Sequence, residues 1–465
     1  MTKLKKTAIL ITLLTVMLLN MFSLASAASR FEDVIARSAL LAEVDSGTIL
    51  FGHNENTPQP IGDLTKIMTL LLAVEAVEDG RANAQNYVTM TESAWEDIGP
   101  NSSTRNIQPG EEMTLLDLMY SAFVGNANEA CNMIAEYLSG SVSSFVAEMN
   151  RRAAEIGATN TTFVNPHGQY DSNHYTTAHD LFLIFRAAIK SELFLEITGT
   201  IRHIVPETNL SDSRRLINNN SLLNSAGRYY YRNLKSGSAS SQFEGGYSFV
   251  GYAETGGMGL ISVILGSDVI IHADQSTDLR NFTETRRLFD WGFSNFGIRT
   301  IISTSTLITR VPVEHGAGAD FVNLRPESSI ELLLDNSIPL DQFVREITIY
   351  SEQRGETLSA PITAGEVLGE VTITRNGVEY GTVLLLANTN IELHRFRQIW
   401  IQIEEALATP LVRNIIIALC FLIAIYVALI VRYNIIRRKR IQAIKRNKQR
   451  LIEERQRKYN EDTFE

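Results

Sequence analysis

The run Ile415–Val431 is apolar at every position, and no ordinary water-facing element can carry it. A strand is finished after about five or six residues, and a surface helix needs a polar face. Counted from Leu411, with Arg413 and Asn414 reaching outward, the stretch is about as long as the ~20 residues that cross a hydrocarbon core. Arg432 follows at once, and the segment after Val431 carries twelve Lys/Arg against five acids. Basic residues gather on the cytoplasmic flank of a span. We therefore expect a transmembrane helix over 411–431 and a basic cytoplasmic tail over 432–465. The protein is then single-pass in the cell membrane, with its large N-terminal part outside the cytoplasm.

The other end of the chain agrees. Lys3, Lys5 and Lys6 precede the apolar run Ala8–Leu19, and Ala25-Ser26-Ala27 supplies small residues for cleavage, the pattern of a signal peptide over 1–27. Residues 28–431 carry 27 basic and 47 acidic side chains, so the net charge of −10 hides an acidic body and a basic tail. Nucleic acid is the other class of partner for a basic tail, but twelve charges beside a membrane span are better explained by topology, and no nucleic acid is expected. The basic tail suits an anionic membrane surface, with a cytoplasmic partner as its second reading. Of the two cysteines, Cys131 and Cys420, the second lies in the span, so we expect neither a disulfide nor a metal site. No cofactor is expected.

Periodicity divides what lies between. Residues 28–298 read as a mixed α/β (α+β) body. A hairpin-like segment spans Ala42 to Asn56, broken at Asp45-Ser46-Gly47. Helical patterns follow from Ile67 to Val77, Leu115 to Tyr137, Val142 to Ile156 and Thr177 to Lys190. Tyr247–Tyr252 and Gly259–Gly266 read as strands, the second as a buried one, and Asp278–Gly292 as a closing helix. Residues 299–397 change to short β-type runs between Gly, Pro, Asn and Asp turns, a small all-β domain.

Chemistry is suggested first at Pro60-Ile61-Gly62-Asp63-Leu64-Thr65-Lys66-Ile67-Met68-Thr69. Between residues 28 and 431 the only lysines are Lys66, Lys190 and Lys235. A lysine one turn into an apolar helix is therefore a candidate functional group, unless it snorkels to water. Three further pieces follow in order: Gly125-Asn126-Ala127-Asn128-Glu129-Ala130 in a helical region; Asn165-Pro166-His167-Gly168 with His174-Tyr175-Thr176-Thr177-Ala178-His179-Asp180, a turn followed by a helix cap; and Leu234-Lys235-Ser236-Gly237 before the buried strand.

Together these pieces resemble the D-alanyl-D-alanine carboxypeptidases, the low-molecular-mass penicillin-binding proteins, whose parent motifs are S-x-x-K, S-x-N and K-T-G. The resemblance covers about residues 30 to 395, including the small β domain, and extends to the signal peptide and membrane anchor. It implies a penicillin-binding/β-lactamase-like transpeptidase domain and a serine-type hydrolase that trims terminal D-alanine from peptidoglycan stem peptides. In such an enzyme the serine attacks the peptide carbonyl, with a lysine one helical turn on as its base. The second motif relays a proton and holds the substrate amide, and the third binds the substrate carboxylate.

Carried over by position, Lys66 takes the general-base place, Asn128 the amide-binding place, and Lys235, Ser236 and Gly237 the carboxylate-binding place. The departures are sharp. Asp63 stands where the nucleophilic serine would be, and no lysine in the chain has a serine three residues before it. Asn126 replaces the relay serine, and Ala239 stands where the family usually has threonine. The expected protein is thus a catalytically impaired member that binds stem peptides, with weak and non-covalent β-lactam binding. Asp63 then stabilises the helix start and pairs with Lys66; a carboxylate that activates water is the sharper alternative. Other readings are an active D,D-carboxypeptidase-like hydrolase and a non-catalytic cell-wall scaffold. A β-lactamase shares the parent motifs, but the β domain, the span and Asn165-Pro166-His167-Gly168 argue against it.

Overall fold

Two strands and a sharp turn open the folded body. Ser38–Glu43 (β1) pairs antiparallel with Ile49–His53 (β2). The turn between them closes because Gly47 takes a φ of 73° and the buried Glu43 carboxylate accepts from the Asp45 and Ser46 N–H groups at 2.9 and 2.7 Å. The structure, a computed structural model, describes residues 31–461 except 32, 97, 100, 101, 243, 244, 273, 274 and 276. The expected signal peptide lies outside the described residues.

The main helices then follow: Lys66–Glu78 (α1), Leu115–Phe123 (α2), Asn128–Ser139 (α3), Val142–Ile156 (α4), Ala178–Ala188 (α5) and Glu192–Gly199 (α6), with a single short turn of helix at Glu92–Glu96 between the first two. The chain then returns to the sheet with Leu234–Gln242 (β3), Gly246–Thr255 (β4) and Met258–Ser267 (β5), before the helix Arg280–Asn295 (α7). The strand order is β2-β1-β5-β4-β3, with every neighbouring pair antiparallel. Alternate residues serve the two faces. Leu40, Val250, Ile261 and Val263 join a core with Ile67, Leu71 and Phe182 of the helices. Leu41, Phe249, Leu260 and Ile264 pack with Leu288 and Phe289 of α7. With both faces covered, β5 is buried at every position, which its unbroken apolar run anticipates.

One helical expectation is corrected. Leu115 to Tyr137 is two helices, not one, and the second motif lies in the break. Asn126 adopts a left-handed φ of 52°, a conformation that ends a helix and that Asn tolerates better than most residues. Gly125 lets the chain fold back there, since a Cβ would lie 2.5 Å from the Ser121 carbonyl oxygen. Helix α4 runs over the expected residues, opened by the Ser141 hydroxyl accepting from Ser144 N–H and closed by Gly157 at a φ of 93°.

Residues up to Thr300 with Glu331–Gln342 form one unit, and Ile301–Ile330 with Phe343 onward a second. In the second unit Thr309–Pro312 (β6), Phe321–Pro326 (β7), Val344–Ile349 (β8), Val367–Arg375 (β9) and Val378–Ala387 (β10) make an antiparallel sheet, ordered β6-β7-β10-β9-β8. Val322, Leu324, Val371, Ile373 and Leu385 are among its buried residues. Helix Arg395–Ala408 (α8) then leads to the 52-residue helix Pro410–Glu461 (α9). It is long and apolar enough to cross a membrane.

Gly125→Ala should therefore destabilise the first unit by about 1–3 kcal/mol, as overpacking against fixed backbone does. Thermal unfolding of the purified chain beside the parent protein measures it, and an unchanged midpoint would contradict the close approach described.

Candidate active site at the head of helix α1

The chain enters α1 through a 3₁₀ turn, Gly62–Thr65, with Asp63 as its second residue. No side chain caps this turn, so Asp63 does not act as the cap its sequence position suggests. Its carboxylate turns instead to Lys66, with Nζ 2.8 Å from Oδ1. Lys66 is only 3% exposed and the Asp63 side chain 16%, which rules out a snorkelling lysine. The ammonium donates a second bond to the His167 carbonyl at 2.8 Å. A buried cation needs such partners, because an unpaired one costs several kcal/mol.

The loop that supplies this carbonyl is built for it. Asn165 Oδ1 accepts from the His167 and Gly168 N–H groups at 3.3 and 2.6 Å, and Thr69 donates to the Pro166 carbonyl at 2.5 Å. Gly168 has a φ of 91°, and a Cβ there would lie 1.9 Å from the Gly62 carbonyl oxygen. Only glycine lets the loop and the turn meet.

Two buried histidines brace this contact. Val164 N–H donates to His174 Nδ1 at 3.3 Å, so in the neutral ring Nε2 carries the proton and donates to Thr65 Oγ1 at 2.8 Å. Thr65 in turn donates to the Gly62 carbonyl at 2.7 Å. Burial pushes His174 down to about 4. Burial, helped by the Lys66 charge, pushes His167 down to about 3. Both rings are neutral near pH 7.

The second motif borders the same ground. Asn128 opens α3, its N–H donating to the Ser103 carbonyl at 2.9 Å, and its buried Oδ1 has no hydrogen-bond partner among the described residues. The adjoining Glu129 is fully buried; burial raises its pKa although Arg105 and Ile107 N–H groups donate to Oε1. One turn on, burial pushes the Cys131 thiol up to about 12, with the Lys66 charge the chief opposing influence. Asn126, at the break, is half-buried and has no hydroxyl to relay a proton.

The third motif lies on β3, an edge strand. Ser236, Ser238 and Ser240 are all buried and, at a spacing of two, share one face. Ser236 Oγ sits 2.6 Å from Thr198 Oγ1, and Ser240 Oγ accepts from the Asp63 N–H at 3.0 Å. Gly237 fits where a Cβ would meet Phe249 Cζ at 2.7 Å, and Ala239 packs in the α7-side core. The pairing with β4 skips one residue between Ser236 and Leu234, so Lys235 is the extra residue of a bulge. Its side chain is exposed and makes no hydrogen bond or ion pair among the described residues. The structure thus joins Asp63 to Lys66 and brings β3 to the Asp63 turn through Ser240, but ties Lys235 to neither. Ser240 falls outside the sequence motifs, and the contact between His174 and Thr65, both within motif stretches, was not anticipated; for Ser240 the period-two serines were the one available signal. Among the described residues no cluster of His, Cys, Asp or Glu could hold a metal ion.

The family model for D-alanyl-D-alanine carboxypeptidases matches residues 24–269, more than half of the chain. The D-alanyl-D-alanine carboxypeptidase DacF of Bacillus subtilis is 28% identical over 342 residues, 74% of this chain and 82% of the relative. DacC of Escherichia coli, of the same description, is 29% identical over 371 residues, 77% and 85%. Penicillin binding protein 5 from Haemophilus influenzae is similar in structure, with a TM-score of 0.57 at 25% identity, covering 78% of this chain and 98% of that one.

The neutral histidines give the site a pH signature. In the unfolded chain each titrates near 6.5, well above its folded value. Between about pH 6.5 and 4 the unfolded state binds more protons, so their contribution to stability is full above 6.5 and is lost as pH falls through that window. His174→Gln should flatten the pH dependence of the melting temperature there relative to the parent chain. Parallel curves for the two proteins would refute the assignment.

Proposed function

Because this chain belongs to the D-alanyl-D-alanine carboxypeptidase family, we propose that it binds D-Ala-D-Ala stem peptides at the cell wall without turning them over. The family is one of serine-type hydrolases of cell-wall metabolism that includes penicillin-binding proteins. The apolar C-terminal helix fits a membrane anchor.

The observation that carries the proposal is the 2.8 Å pair of Asp63 with Lys66. In S-x-x-K the lysine activates a serine. Here its ammonium is engaged by a carboxylate and by the His167 carbonyl. A paired carboxylate is a poor nucleophile toward an amide, and its negative charge opposes the oxyanion an acyl transfer must form. Its Oδ1 is already occupied by the Lys66 ammonium. Loss of the catalytic serine costs about 10⁶ in rate in a serine protease, about 8 kcal/mol. Nothing else in the site offsets that.

Binding is supported by what remains. Asn128 Oδ1, buried and without a partner among the described residues, can accept from a peptide N–H once its side chain turns outward. β3 ends its sheet, the place where an extended peptide is added as a further strand, although its Gly237 and Ala239 carbonyls already accept from Asn220 and Asn219. Lys235 offers an exposed cation for a terminal carboxylate, and Gly237 keeps the strand narrow beside it. Ser236 is already engaged by Thr198 and would have to share its hydroxyl. β-Lactams, which mimic the same peptide end, are then held weakly and without a covalent bond.

Incubation of the native chain with penicillin under conditions that label ordinary family members should give no penicilloyl adduct in the intact mass. A stoichiometric mass gain that Asp63→Ala removes would overturn the proposal. For topology, we infer an exported body and a cytoplasmic tail over 432–465, from the basic flank and the N-terminal signal pattern. Protease added to intact protoplasts should remove the body and spare the tail; a protected body would reverse the orientation.

A further inference from the structure

We propose that Ser240 is a built-in plug of this site, its hydroxyl held at the Asp63 N–H where the carbonyl oxygen of a bound peptide would sit. This rests on the reading of the site as a carboxypeptidase remnant, and adds a residue that none of the motifs contains.

The first N–H groups of a helix have no acceptor within it and point outward from its positive end. The Asp63 N–H is such a group, in the opening turn before α1. Sites of acyl transfer use a backbone N–H beside the nucleophile to hold the carbonyl oxygen as it becomes an oxyanion. At position 63 that donor is already satisfied by Ser240 Oγ at 3.0 Å. The hydroxyl arrives from a strand 177 residues away in sequence, so its presence is a property of the fold and not of the local turn.

Nor is it a mobile visitor. Ser240 is buried and pairs with Ser248 across β3 and β4. Ser236, on the same face, is tied to Thr198. A peptide carbonyl must therefore displace a fixed hydroxyl to reach the Asp63 N–H, and a hydrogen bond's worth of binding is lost in the exchange. The second barrier is independent of the first, since it would persist even with a nucleophile at position 63.

The test uses the full chain in detergent, penicillin G as probe, and intact mass to follow acylation in Asp63→Ser and in Asp63→Ser/Ser240→Ala. Melting temperatures show which variants are folded. Removing the hydroxyl should raise the acylation rate about tenfold, the weight of one such bond. Acylation seen only in the double variant supports the plug as well. Ser240→Cys, similar in size but a weaker acceptor, should act in the same direction by a smaller factor, and it decides the question if the alanine variant does not fold. Equal or slower acylation in the folded Ser240 variants overturns the plug while leaving the site reading intact. If no folded variant acylates at all, the remnant reading falls and the plug with it.

Discussion

The site depends on keeping one ammonium group out of water. Lys66 is buried at the head of a helix that packs into the main core, and a lone cation there would cost several kcal/mol. Its two acceptors come from opposite directions, Asp63 within the turn and the His167 carbonyl from a loop about a hundred residues on. To deliver that carbonyl the loop must touch the turn, which forces Gly168 against Gly62. The His174–Thr65–Gly62 chain of hydrogen bonds then fixes the turn from behind. Both histidines lose their protons in this setting, so the Asp63–Lys66 pair carries the local charge.

On the proposed reading, in which Asp63 takes the place of the family's serine, such an exchange is physically intelligible. A serine leaves the buried ammonium short of a counter-charge, a state suited to shuttling a proton and poor for stability. A carboxylate supplies the counter-charge and relieves that strain, in keeping with the general opposition between active-site chemistry and stability. The carboxylate that best satisfies Lys66 is also the group that most hinders attack on an amide.

Much of this was legible in the sequence, and what was not has identifiable causes. The unbroken apolar run of β5 announced a buried strand, and periodicity placed α4 at Val142 to Ile156. Lys66 stood out because lysine is so rare in the body. The break at Asn126 was hidden, since its apolar flanks keep helical spacing while one left-handed residue turns the chain. The bulge at Lys235 was hidden because an extra residue in a strand leaves no trace in composition. Ser240 could not be assigned because its partner is a backbone N–H, which every residue but proline possesses.

What the site can still offer a peptide differs between two of its polar groups. A buried amide oxygen without a partner costs about 1–3 kcal/mol, and among the described residues Asn128 Oδ1 is in that state while the same residue's N–H is satisfied by Ser103. The Asp63 carboxylate shows what relief looks like, because there the buried Lys66 charge has found a counter-charge inside the chain. Asn128 Oδ1 is shut from solvent, so a donor from outside reaches it only if the side chain turns. Lys235 is the opposite case: exposed, and without a hydrogen bond or ion pair among the described residues, it can meet a terminal carboxylate directly. The case for a protein that still holds a peptide therefore rests on Lys235 and the edge strand that carries it.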